Sequence, residues 1–364
     1  MTGAINVRVK DLGLSLNSGD AAGAFTQIGH GGRGSNAAGG VNALIDISFC
    51  DPGDVSLLGG ANGMNSYAQI GHGGSGLAGN FSGDVTIDGT RDLALAGGGN
   101  QAYAQIGHGG ATGVDPTISA GDPSYVRRAL SASGTIQVIN TTGAVSMIGG
   151  AGAHNAYVQI GHGGVALSNA GAIGGDVTVE AGGGGIDVKG GLGNVAYALI
   201  GNGGYWVDNA LGGTVRVDAK GTGVGDGIRM RGGDGNHTYA SPRSGFAGAM
   251  IGNGGYNTVS TVGGDTYVSV QNGGLAMNAG DAYYSNATIG HTGQSGSGAM
   301  SGLIDVDVVN GSLVMEAGIK NLFGFTQIGH GGWTSRNHGG DIDVKVDQGD
   351  IVIRSGTITY NHAK

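Results

Sequence analysis

Six histidines in this chain could do chemistry: His30, His72, His108, His162, His291 and His330 each follow Ile-Gly and precede Gly or Thr. If the copies of this segment stack, the imidazoles form a column at about the 4.8 Å spacing of adjacent strands. Rings that close can share a metal ion or titrate together. Asn202 and Asn253 take the same place in two further copies. Asparagine supplies no imidazole ligand, but it does cap turns and tolerate strained backbone. A hydrogen-bonding turn ladder through His30, His72, His108, His162, Asn202, Asn253, His291 and His330 is therefore the preferred reading, with a metal column as its rival. No cofactor is expected.

The segment around each histidine is a strand that must be positioned by others. The landmark Ile-Gly-His-Gly-Gly follows Gln27, Gln69, Gln105, Gln159 and Gln327, and returns altered after Leu199, Met250 and Thr288. Its isoleucines lie 42, 36, 54, 40, 51, 38 and 39 residues apart. A period near 40 is the mark of stacked units sharing one core. Two more strand signals precede each landmark. One is an alternating run such as Asp84–Asp88, Asp176–Glu180 or Asp341–Val346, first seen at Ile5–Val9. The other is shorter, as in Val55–Leu57, Leu93–Leu95 and Ile351–Ile353. Period-two alternation rich in β-branched residues describes half-buried strands, and no stretch carries a helical period. The expectation is an all-β, right-handed parallel β-helix (β-solenoid) of about nine three-strand coils, roughly triangular in section, occupying 1–364 as a single array. At the strand spacing this is a rod about 43 Å tall. A propeller would need a fourth strand per repeat.

Composition agrees. The chain has 84 glycines among 364 residues but only 4 prolines, without the triplet period of collagen. A net charge of −9 with 12% charged residues offers no basic stripe for nucleic acid. The lone Cys50 excludes a disulfide framework. No apolar run reaches the length of a membrane span, and Met1–Val7 lacks the regions of a signal peptide, so any export address is expected outside this piece.

Alternation in the landmark strand sets Ala68 and Ile70 on one face and Tyr67 and Gln69 on the other. With isoleucine inward, Phe25, Tyr67, Tyr103, Tyr157, Tyr197 and Phe325 form an outward ladder beside Gln27, Gln69, Gln105, Gln159 and Gln327, broken in the sixth and seventh repeats. Such ladders stabilise in-register strands. The alternative to this preferred structural role is a flat aromatic stripe that sugar rings or another rod could lie against. Two insertions break the period, 113–133 and 232–248, and are expected to leave as loops over one face. They carry the off-pattern groups Asp115, Asp122, Tyr125, Arg127, Arg128 and Arg243, of which Asp122, Tyr125, Arg127, Arg128 and Arg243 form a candidate contact site. No nucleophile motif, phosphate loop or metal-ligand cluster surrounds them, so an enzyme is not expected. Isolated calcium sites at Asp226 or Asp234 remain open, although the nine-residue spacing of calcium-binding repeats is absent.

The Tyr-Ala-Gln-Ile-Gly-His-Gly-Gly landmark, preceded by GDVTI-like and LALAGG-like strands from Ile5 to Ile353, resembles the repeats of filamentous haemagglutinin-like adhesins. These are large bacterial surface proteins exported through a partner pore or as autotransporters. The resemblance implies an extracellular, cell-surface location, a long right-handed β-helix, and binding to cells or building of biofilm. The secretion domain with its Asn-Pro motif and a membrane-anchor barrel are not among these residues. The expected function is a stalk and multivalent adhesion surface, its partners a host-cell or matrix glycan or protein. Alternatives are a filament subunit binding itself end to end through open strand edges, and a carbohydrate-binding or carbohydrate-active β-helix using the inserted loops.

Overall fold

The computed structural model describes residues 2–34, 40–111, 128–140, 142–152, 154–235, 246–258, 260–282, 284–294, 298–318, 324–332, 337–356 and 362–363. They are all-β, without a helix among the described residues, and stack as a β-solenoid of parallel strands. One coil shows the plan. Val177–Ala181 forms a first arm, Ile186–Lys189 a second arm, and Ala198–Ile200 the landmark strand. Gly203–Val207 then runs outward, Leu211–Gly212 returns, and Val215–Ala219 opens the next coil.

The arms of successive coils build one broad sheet of 16 strands, and the landmark strands a sheet of nine that ends with His362–Ala363 beside Phe325–Thr326. Register is strict: Val177, Thr178 and Val179 face Val215, Arg216 and Val217. A slip by one residue would turn every core side chain to water. In two early coils the arms are one bent strand, Ile45–Leu58 and Val85–Ala96, whose ladder shifts register between Ser48 and Val55.

Both arms and the landmark strand turn their apolar side chains into a shared interior. In one coil these are Ile45, Ile47, Val55, Leu57, Ala68 and Ile70, all at most 1% exposed. The same cluster continues to Leu313 and Met315, so a single core runs along the array. Each fully buried Ile or Leu contributes about 1.5–3 kcal/mol.

The three-sided expectation describes this inner tube but not the whole coil. The Gly-Gly after the landmark opens a strand in the middle coils, at Gly109–Ala111, Gly163–Gly174, Gly203–Val207 and Gly254–Tyr256. Gly163 and Gly164 pair in register with Gly203 and Gly204 in a second nine-stranded sheet that covers the landmark sheet from outside. Glycine is a weak strand former, which hides this element. It is required here because Gly204 has φ +135° and a Cβ on it would lie 2.0 Å from the Gly164 carbonyl oxygen. Between the outgoing and returning strands sits a separate apolar cluster including Phe81, Leu130, Leu167, Ile173 and Val207.

Candidate functional site: the internal ladders

The landmark sheet is thus buried on both faces, and this decides what its polar and aromatic side chains can do. Alternation does set the ring opposite the isoleucine, but that side is not solvent. Tyr67, Tyr103, Tyr157 and Tyr197 are 0% exposed, Phe325 is buried, and only Phe25 is open. The expected outward stripe is an internal column. Its centroids are 5.1 Å apart from Phe25 to Tyr67, then 4.8, 4.8 and 4.9 Å to Tyr197, with planes within 11° of parallel. The outer sheet can close over the rings because its backbone bears no side chain there: a Cβ on Gly110 would meet the Tyr103 hydroxyl at 2.6 Å. Burial pushes the phenols of Tyr103, Tyr157 and Tyr197 well above their ordinary value.

The break in the sixth and seventh repeats is filled from elsewhere in sequence. Gly248 stands where the ring should be, and Phe246 packs on Tyr197 at 5.7 Å instead. It also meets Tyr256, which stacks on Tyr205 at 5.3 Å and contacts Tyr284. The spare aromatics in Gly203–Val207 and Gly254–Tyr256 were the available signal, but only a strand after the landmark gives them a place.

Glutamines beside the rings are buried as well and bond forward along the array. Gln69 Nε2 donates to the Gly107 and Gly109 carbonyls of the next coil at 3.0 and 3.2 Å, and Gln105 to Gly161 and Gly163 at 3.1 and 3.3 Å. Gln159 repeats this with Gly201 and Gly203, and half-buried Gln27 with Gly71 and Gly73. Gln327 donates to the His330 carbonyl. Gln105 Oε1 in turn accepts from the Tyr157 hydroxyl at 3.3 Å.

The histidines close the inner tube. Its three walls leave a seam between the end of the landmark strand and the start of the first arm, where the outer strands emerge. The Nε2–H of His72, His108, His162, His291 and His330 donates across this seam to the carbonyls of Ala43, Gly83, Gly134, Gly264 and Gly302 at 2.7–2.9 Å, each just ahead of its own coil's first arm. His30 reaches Gly3 likewise at 3.1 Å. The other ring nitrogen links coils: Nδ1 of His72, His108 and His162 accepts the backbone N–H of His30, His72 and His108 at 2.9–3.0 Å. This fixes the neutral tautomer with its proton on Nε2.

Asparagine reproduces both bonds. Asn202 Oδ1 accepts the His162 N–H at 2.9 Å and its Nδ2 donates to Gly175 and Gly212; Asn253 does the same toward Asn202, Gly213 and Gly263. The seam bond is thus made at all eight positions, whereas the link between coils is not made at every one. At the one junction from asparagine back to histidine, His291 Nδ1 is buried without a partner. Burial depresses the imidazoles of His72 and His330, takes those of His162 and His291 to about 4, and holds His108 well below the ordinary range, with its stacked neighbours His162 and His72 adding to the effect.

Metal would have to displace these bonds, since both nitrogens of His72, His108 and His162 are engaged; no group of three His, Cys, Asp or Glu is placed to hold an ion among the described residues. The carboxylate of Asp226 accepts the N–H groups of Gly184 and Gly223, and Asp234 is paired with Lys189 and Arg231. Both carboxylates considered as isolated calcium sites thus hold structural contacts. A further ladder escaped the sequence reading. The aspartate that opens the first arm caps the next coil: Asp84, Asp176 and Asp265 accept the N–H of Thr135, Thr214 and Leu303 at 2.8–2.9 Å. The recurring Gly-Asp was its signal.

Asp115, Asp122, Tyr125, Arg127 and Arg243 lie outside the described residues, as does the side chain of Arg128. The flanking elements still correct the insertions. Arg128–Ser133 is a strand paired with Gly79–Ser82 and Gly163–Gly174, not loop. The first insertion leaves between the outgoing strand Gly109–Ala111 and that returning strand, whereas the second leaves between the second arm Ile228–Arg231 and the landmark strand Ala249–Ile251. They depart from different corners of the coil rather than over one face. Compared with known protein families, curated proteins and solved structures, the chain matches none.

Proposed function

We propose that this chain is a stiff spacer segment of a secreted bacterial surface protein, holding contact loops at fixed positions along a rod. The observation that carries the reading is that the landmark's polar and aromatic groups bond and stack from coil to coil inside the molecule. Such columns resist shear between coils. The resemblance to exported adhesin repeats supplies the location, and the lone Cys50 suits passage of an unfolded chain through a pore. Adhesion belongs to the inserted segments, each contact weak and the set multivalent. Their separate corners favour two independent contacts over one carbohydrate-processing site built from both.

Arrays of matrix proteins and glycans probed with the intact chain, with a variant lacking 112–127 and with one lacking 236–245 test this. Binding that falls in a deletion variant with an unchanged circular dichroism spectrum supports the reading. Intact binding in both variants refutes the assignment to the loops, and absence of binding refutes adhesion. Electron microscopy of the same samples separates discrete rods from ordered filaments, the latter placing self-assembly first.

A further inference from the structure

We propose that the seam of the inner tube is an acid-released latch in the coils closed by histidine, while the two coils closed by Asn202 and Asn253 stay shut.

A proton added to the imidazole must go to Nδ1, because Nε2 already carries the one donated to the first-arm carbonyl. Nδ1 faces a backbone N–H of the preceding coil at 2.9–3.0 Å. The new N–H would point at another donor, so the link between coils is lost and two donors are left buried. Stacking compounds the cost: the rings of His72 and His108 are 4.7 Å apart and those of His108 and His162 4.8 Å, so adjacent imidazolium ions repel. Relief comes by opening the seam to water. Asn202 and Asn253 make the same two bonds through an amide that does not titrate in this range.

Other groups around the column do not cancel this. From the turn ahead of the first arm, Asp84 favours a charged His162 and Asp265 a charged His291, but desolvation outweighs both. Those carboxylates are already bonded to the N–H of Thr135 and Leu303. On the outer side His338 opposes protonation of His330, and within the column His30 opposes that of His72. Burial lowers the imidazoles from 6.5 to about 4 at His162 and His291. Across that interval the open chain takes up protons that the closed chain refuses, so the stability of histidine seams is full above 6.5 and is lost as pH falls toward 4.

Hydrogen exchange read by mass spectrometry between neutral pH and pH 4, corrected for intrinsic rates, tests the latch. Protection should fall first around Gly83, Gly134 and Gly302 and persist around Gly175 and Gly213. Two double variants use the chain's own alternatives. His108→Asn with His162→Asn should lower the midpoint of acid unfolding by about one pH unit, and Asn202→His with Asn253→His should raise it. Equal loss at histidine and asparagine seams in the unaltered protein overturns the proposal, as does an acid midpoint unmoved in either folded variant. If one variant fails to fold, the exchange pattern of the unaltered chain still decides.

Discussion

Gly107→Ala places a methyl group in the tightest part of the landmark. The added Cβ would lie 2.2 Å from the Gly161 carbonyl oxygen of the next coil and 3.0 Å from Ile136 Cδ1. The backbone there has φ +137°, where a side chain costs about 1–3 kcal/mol. Separating Cβ from the oxygen means moving one coil from the next by about an ångström, an overpacking cost of about 1–3 kcal/mol. That oxygen also accepts from Gln105 Nε2, and losing the bond adds about 1 kcal/mol. The whole effect is about 3–7 kcal/mol, a large share of the stability of any domain. Gly212→Ala is the control, since nothing lies within 4 Å of its added Cβ and its φ is outside the left-handed region. It should be neutral, or stabilising by up to about 1 kcal/mol through the unfolded chain. Denaturant titrations followed by far-ultraviolet circular dichroism compare the two. Equal midpoints would refute the close approach of coils and with it the register of the landmark sheet.

His162→Leu at neutral pH strips the partners from the His108 N–H and the Gly134 carbonyl and should cost about 2–4 kcal/mol, whereas His162→Asn should cost under about 1 kcal/mol in the same thermal melt. Tyr157→Ala opens a ring-sized cavity between Tyr103 and Tyr197 and should cost about 3–5 kcal/mol, with loss of the near-ultraviolet circular dichroism of stacked phenols. Gln105→Leu leaves the Gly161 and Gly163 carbonyls and the Tyr157 hydroxyl without this amide and should lower the denaturant midpoint by the equivalent of about 1–3 kcal/mol.

What the sequence made legible was whatever repeats with period two or with period 40. Asp84–Asp88 and Leu93–Leu95 announce the arms because β-branched and leucine side chains alternate with polar ones, and the structure holds Val85, Ile87, Leu93 and Leu95 in the core. The orientation of Tyr67 against Ile70 was legible for the same reason. Its burial was not, because alternation tells which side a residue takes and says nothing of what lies on that side. The missing layer is made by glycines such as Gly110, whose lack of a side chain both erases the strand signal and lets the sheet come down on the rings. Phe246 illustrates the other limit. It fills the ring column from two residues upstream of the equivalent position, a substitution in space that no fixed period reveals.

The ladders have a direction, and that bears on how the rod fails. Gln27, Gln69, Gln105 and Gln159 donate to carbonyls of the following coil, while His72, His108, His162, Asn202 and Asn253 each accept the N–H of the ladder residue before them. A change at one coil therefore weakens two interfaces, one through what it gives and one through what it receives, in keeping with nearest-neighbour stability in stacked repeats. The exchange of histidine for asparagine at 202 and 253 is tolerated because both side chains present an acceptor and a donor the same way round. Leucine at 199 and methionine at 250 replace the glutamine donor with apolar bulk, and in those coils the column is packed rather than bonded, with Leu199, Met250 and Phe246 in one cluster. Polar bonding thus dominates where the rings stack in parallel, and apolar packing takes over where they tilt. The two middle coils should accordingly respond least to acid and most to loss of aromatic volume, so Phe246→Ala is expected to lower stability at neutral pH by about 3–5 kcal/mol while leaving the acid midpoint of the flanking histidine coils in place.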